Sequence, residues 1–251
     1  MKNSSKFFFF MLTSLCVALC VLISHFFAGI ISTSVFSTAN ISASVSEINL
    51  YGVCGKSFGI KSQATEFANS LKAKNSGSYI YSKDGKFYVI SSIYEHENDA
   101  KNVIENILES YPNCEIIQIK INSLELTNLT NQNFKKSLTN AFVSLKQAYL
   151  DLYDISVCLD TSVYSQTKAV IECSKIQDYL EDISHLPAGD SATEGAFSVL
   201  VKNKIKNINE SIEELINFNA TETYTFSSKI KDTYINLVFE WQDLVNNLNE
   251  K

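Results

Sequence analysis

The sequence predicts an α+β segment followed by an all-α segment, both carried behind an N-terminal transmembrane helix. Three observations predict it. Residues 7–31 run apolar without a single Asp, Glu, Lys or Arg. Between 47 and 126 the apolar pattern switches repeatedly between a period of two and a period of 3.6, and from 127 to 251 only the helical period remains. The chain therefore divides into a short tail (1–6), an anchor (7–31), a Ser/Thr-rich linker (32–46), an α+β domain (47–126) and a helical domain (127–251).

The anchor comes first. A bilayer-spanning helix needs roughly 20 mainly apolar residues, whereas the apolar core of a cleavable signal peptide usually stops at about 15. The run reaches the longer figure, with Ser14, Ser24 and His25 as tolerable interruptions. Cleavage after Ala39, with Ser37 as the second small residue, is the alternative, and it gives a secreted protein. Lys2 and Lys6 precede the run and no Lys follows it until Lys56, so the positive-inside bias places the N-terminus in the cytoplasm and the rest outside. The expected location is the cell membrane, single-pass, with extracytoplasmic domains.

Composition narrows the function classes. The formal net charge is −6 and every basic side chain other than histidine is lysine, with no basic stripe, which argues against nucleic acid as a partner. Of the six cysteines, Cys16 and Cys20 lie in the anchor and Cys54, Cys114, Cys158 and Cys173 lie beyond it. None belongs to a C-x-x-C pair, so no zinc site is expected.

Within the α+β domain, Ile48 to Cys54 reads as a strand, and Ala64, Phe67, Ala68 and Leu71 then recur at helical spacing. Ser78 to Tyr81 and Lys86 to Tyr94 read as two strands joined by a turn at Asp84-Gly85, where glycine accepts positive φ. Ala100, Val103, Ile104, Ile107 and Leu108 form an amphipathic stripe that Pro112 ends. From Cys114 to Ile121 the isoleucines alternate with Gln118 and Lys120, the pattern of a half-buried strand. The order is βαββαβ, a ferredoxin-like split unit.

Two half-repeats run through this segment. Phe58 stands six residues before Ala64 in FGIKSQA, and Tyr94 stands six before Ala100 in YEHENDA. With the anchor and linker in front, residues about 48–122 resemble a SPOR domain, the peptidoglycan-binding module of bacterial division and sporulation proteins. The resemblance implies glycan strands of peptidoglycan as ligand, held on an open sheet face without bond cleavage. Strand alternation assigns Lys56, Tyr88, Ile90, Ser92 and Gln118 to that face, and Val53, Val89, Ile117 and Ile119 to the helix side. Tyr88 is then placed to stack on a sugar, with Lys56, Ser92 and Gln118 as hydrogen-bonding groups. The family often carries a Gln and a Gly on its first strand where this chain has Cys54 and Lys56, and a Gly on the third where it has Ser92.

In a ferredoxin-like sheet the first and last strands are neighbours, which brings Cys54 near Cys114. A disulfide there closes a loop of about 60 residues and contributes roughly 4 kcal/mol on chain-entropy grounds. Two reduced thiols are the alternative.

The helical domain carries four stripes: Phe134 to Ile155, Ala169 to Ile183, Phe197 to Leu215, and Phe226 to Leu248. Ser191 with Glu194 forms a capping box before the third. Short connections point to an antiparallel bundle, with a coiled coil as the second choice. Its aromatics belong to the core, and another envelope protein is the expected partner.

The three histidines, at 25, 96 and 185, form no catalytic or metal motif, and no nucleophile elbow or phosphate loop occurs. No cofactor is expected. The expected function is non-catalytic: an envelope protein that binds peptidoglycan in sporulation or cell division. Two rivals stand beside it, an interaction scaffold that has lost glycan binding and a peptidoglycan hydrolase.

Overall fold

A computed structural model describes residues 43–109, 111–126, 129–187, 189–219 and 225–249. The elements run β1 (Ala43–Val45), β2 (Ile48–Phe58), α1 (Lys61–Lys72), β3 (Tyr79–Lys83), β4 (Lys86–Tyr94), α2 (Glu97–Ile107), β5 (Glu115–Ile121), β6 (Leu124–Leu126), α3 (Gln132–Asp160), α4 (Gln166–Ser184), α5 (Ala192–Ile216) and α6 (Phe226–Asn249).

The elements from β2 to β5 build a four-stranded antiparallel sheet in the order β3-β4-β2-β5. Asp84 and Gly85 both take positive φ, at 51° and 73°, as a tight hairpin with the right-handed twist of its strands requires. The sheet has two covered faces. One meets α1, where Ala64, Ala68 and Leu71 close over Val89 with Phe58, Phe67 and Phe87 at the margin. The other is continuous with the core of the four C-terminal helices: Leu50, Cys54, Ile90, Ile93, Ile117, Ile119 and Ile121 share one buried cluster with residues of α3 to α6.

Those helices form where the periodicity and caps demand. Asn131, Ser165 and Ser191 each accept a first-turn amide through the side chain, which satisfies donors that a helix start leaves free. Each helix packs on the next, and α3 packs on α6, so the four close into a ring. Glu194 ties two of them together. Its carboxylate accepts from the amides of Thr130 at 2.6 Å and Asn131 at 3.0 Å, before α3, and from those of Asp190 at 2.7 Å and Ser191 at 3.3 Å, before α5. Four amides hold the Glu194 carboxyl well below the usual range, at about 2.

The expected fold class is corrected by this arrangement. The described residues form six helices and two sheets, and the transmembrane helix of the expected class is the part that finds no support. β2 to β5 keep the expected βαββαβ order with the ferredoxin-like strand order, first and last strands antiparallel neighbours, but sheet and helical ring share one core in one compact unit, Ser42–Lys251. The physical reason is that the sheet has an apolar second face, and burying it against α6 removes that area from water. No helix among the described residues is long and apolar enough to cross a membrane, so the predicted transmembrane helix finds no support. The run 7–31 where it was expected, the tail 1–6 and most of the linker 32–46 lie outside the described residues. The linker's last part is not free chain: β1 pairs antiparallel with β6 as a second, two-stranded sheet, in which Val45 and Leu124 are buried.

Candidate functional site

The five residues assigned to a glycan face do not share a face. Two bulges separate them. Cys54 pairs with Ile90 while Val53 pairs with Ser92, which leaves Ser91 as an extra residue on β4; Lys56 pairs with Val89, which leaves Gly55 as an extra residue on β2. Each bulge advances one strand by one residue and so reverses which side its later residues face. Tyr88 and Ile90 lie on the side of the C-terminal helices. Lys56, opposite Val89, and Ser92, opposite Val53, take the α1/α2 side, as does Gln118, between Ile117 and Ile119. The residues expected to face the helices are split likewise: Val53 and Val89 face α1 and α2, whereas Ile117 and Ile119 face the helical ring.

The sheet face meant for sugar is occupied. Ile90 is fully buried. Phe239 of α6 inserts between Tyr79 and Tyr81, stacked on both at 4.6 Å with interplanar angles of 12° and 21°. Polar contacts fix α6 at both ends. Asp232 accepts from the amide of Ser78 at 2.6 Å, and Ser228 and Lys231 donate to the carbonyls of Lys72 at 2.9 Å and Asn75 at 2.7 Å, at the end of α1 and in the turn that follows it. At the other end Gln242 donates to the Lys120 carbonyl at 2.7 Å and Asn249 to that of Ser123 at 3.1 Å. Gly77 is needed for the approach, since a Cβ there would lie 2.4 Å from the Ser91 carbonyl and 2.9 Å from Ile235. α6 is buried on two sides, toward the ring through Ile230, Leu237 and Trp241 and toward the sheet through Ile235 and Phe239. An apolar pair at i, i+4 outside the main stripe was the sequence signal for that second face.

The expected disulfide is not formed. Cys54 and Cys114 are free thiols, as are Cys158 and Cys173. Register pairs Cys54 with Glu115, so Cys114 stands one residue out of step, beside Gly55, whose carbonyl its Sγ approaches at 3.8 Å. Neighbouring positions on a strand point to opposite sides, which separates the two sulfurs. Burial pushes the Cys54 thiol up to about 12, and the nearby Glu115 charge acts in the same direction.

What the surface offers instead is a cleft of about 450 Å³ where the end of α1, the bulged part of β4, α2, α3 and α6 meet. Ser91, Ser92, Tyr94, Tyr153, Asp160 and Lys231 line it, over an apolar floor that includes Leu71, Val103 and Ile107. Tyr94 meets Tyr153 edge-on at 6.1 Å, and Tyr153 meets the buried Tyr234 at 5.8 Å. Burial first, and then surrounding carboxylates and phenols, push the Tyr153 hydroxyl up to about 12. Sequence reasoning missed this cleft because its residues come from five elements. Tyr153, four residues beyond the core Tyr149 on α3, was the one local sign.

Among the described residues no group of three or more His, Cys, Asp or Glu is suited to hold a metal. His96 sits before the first turn of α2 and His185 after the last of α4; His25 lies outside the described residues. No family model, no curated protein and no solved structure matches this chain.

Proposed function

We propose that this chain is a non-catalytic interaction scaffold of the bacterial cell envelope, with its SPOR-like segment serving as a platform for helices. The observation that carries the reading is the filled sheet face: Ile90 has no exposed surface, and Phe239 occupies the space between Tyr79 and Tyr81. Freeing that face for a glycan strand requires lifting α6, whose burial on two sides makes it part of the main core. The partner is then a protein of the envelope, met through the surface that the sheet and helices form together.

Co-sedimentation with denuded sacculi tests the proposal. The full chain in detergent stays in the supernatant at concentrations where a glycan-binding control sediments. Saturable sedimentation of this chain overturns the scaffold reading.

The second reading keeps peptidoglycan glycan strands as the ligand, in sporulation or division. It draws on Gln118, which remains exposed, donates to Asn49 at 3.0 Å and stands two positions, and so on the same side of the strand, from Lys120, which pairs with Glu47 at 2.8 Å. Sedimentation that disappears in Gln118→Ala would select it.

A further inference from the structure

Most polar groups that line the cleft are already matched within the chain, and two are not. Lys231 donates to the Asp160 carboxylate and to the Asn75 carbonyl, each at 2.7 Å, and the Ser227 hydroxyl donates to the same carboxylate at 2.7 Å. Ser91 donates to the Val53 carbonyl at 3.1 Å. Ser156 differs from these. It lines the cleft and is only 4 % exposed, yet its hydroxyl has no hydrogen-bond partner among the described residues. A buried hydroxyl is costly to leave unpaired, so an acceptor is wanted on the side where Ser156 meets the cavity.

Lys74 is the second unmatched group. Its ammonium donates to the Tyr111 hydroxyl at 2.9 Å and lies 5.1 Å from the centre of that ring, and both residues line the cleft. Lys74 has no ion pair among the described residues, and the charged groups of the lining are Lys74 and Lys231 against Asp160, an excess of one positive charge. Between these groups lies apolar surface from Leu71, Val103, Ile107 and Val157, the last of them 42 % exposed. The volume of about 450 Å³ falls within the range of about 300–1,000 Å³ that small-ligand sites occupy.

A cation is repelled by the excess charge, and a plain hydrocarbon leaves Lys74 and Ser156 unmet. A carboxylate suits the ammonium, since a charge-assisted bond is the stronger kind, and a carbonyl suits the hydroxyl. An apolar side chain suits the floor. These three groups occur together in an N-acylated apolar amino acid, which is also the chemistry of the last residue of a polypeptide.

We propose that the cleft binds an N-acylated apolar amino acid, with its free carboxylate at Lys74, its acyl carbonyl at Ser156 and its side chain on the apolar floor. The inference goes beyond the scaffold reading and does not use the filled sheet face.

Titration calorimetry of the full chain in detergent, against a micelle blank, tests it with N-acetyl-phenylalanine, its C-terminal amide and N-acetyl-glycine. The first binds, and the other two bind at least about tenfold more weakly, because one lacks the charge and the other the side chain. Lys74→Gln, at an exposed position, weakens the acid by about tenfold and leaves the amide unchanged. Ser156→Ala weakens the acid by about threefold while the urea midpoint does not fall, since its hydroxyl has no partner to lose. Lys101→Gln, outside the lining and paired with Glu97 at 2.8 Å, changes neither. A short neutral peptide ending in phenylalanine that binds at least as tightly assigns the ligand to the end of a polypeptide; weaker binding assigns it to a free acyl amino acid. No binding of the acid, equal binding of acid and amide, or an equal loss in Lys101→Gln overturns the proposal. Any of these leaves the scaffold reading standing on the sacculus experiment, which reads a different ligand.

Discussion

Truncating Phe239 to alanine removes the wedge that joins sheet to helices. The ring is 7 % exposed and lies between two tyrosines. Phe→Ala substitutions in packed cores cost about 3–5 kcal/mol, and each stacked aromatic pair adds about 0.5–1.5 kcal/mol beyond its buried area. Tyr79 and Tyr81 are only half-buried and can close part of the gap, so the lower part of the combined range applies, about 4 kcal/mol. Against a total stability on the order of 5–15 kcal/mol this is a large fraction. With a urea m-value of about 3 kcal/mol/M, the unfolding midpoint falls by a little over about 1 M. Trp241, the single tryptophan, is buried on the same helix and reports the transition by fluorescence, while far-UV circular dichroism follows all elements. The two signals coincide in the parent chain, because sheet and helices share one core. A loss under about 1 kcal/mol, or a tryptophan transition separate from the dichroism one, would refute the claim that α6 and the sheet fold as a unit.

Two further outcomes follow from the same structure. The Glu194 carboxyl is depressed to about 2 in the folded chain against an ordinary 4.5, so its contribution to stability is fully present above about pH 4.5 and is lost as pH falls toward 2. Urea midpoints of parent and Glu194→Gln should therefore differ most near neutrality and converge as pH drops through that window; a constant gap would show that the charge is not what matters. For the cysteines, alkylation under denaturing, non-reducing conditions followed by peptide mass mapping should label both Cys54 and Cys114, and protection of the pair from label would restore the disulfide.

Much of the local structure is readable in the residues. The buried side of α3 is Phe134, Leu138, Ala141, Phe142, Leu145, Ala148, Tyr149, Leu152 and Ile155, the same residues that keep helical spacing along the chain. The Ser191–Glu194 capping box and the Asp84-Gly85 turn lie where their sequence signals stand. Each depends on neighbours within a few positions, and such information survives in one dimension. The expected glycan face failed at Gly55 and Ser91. A bulge is decided by what packs above and below a strand, and the alternation of Val89, Ile90, Ser91 and Ser92 carries no mark of it. The cleft was hidden for a related reason: Tyr94, Tyr153 and Lys231 are far apart in sequence and meet only where three layers end.

By itself the chain's order of residues determined the six helices and the four strands of the main sheet in their order, and the apolar side of each helix, while the short pair β1 and β6 and the faces of the bulged strands were not written in it. Packing decided the rest. The αβ sheet has two apolar faces and only α1 and α2 to cover one of them, so the other had to be buried by the helix with a second apolar flank, α6. That closure, driven by removal of Ile90, Ile93 and Ile119 from water, takes away the surface a sugar chain would need and creates the tyrosine-lined cleft at its edge.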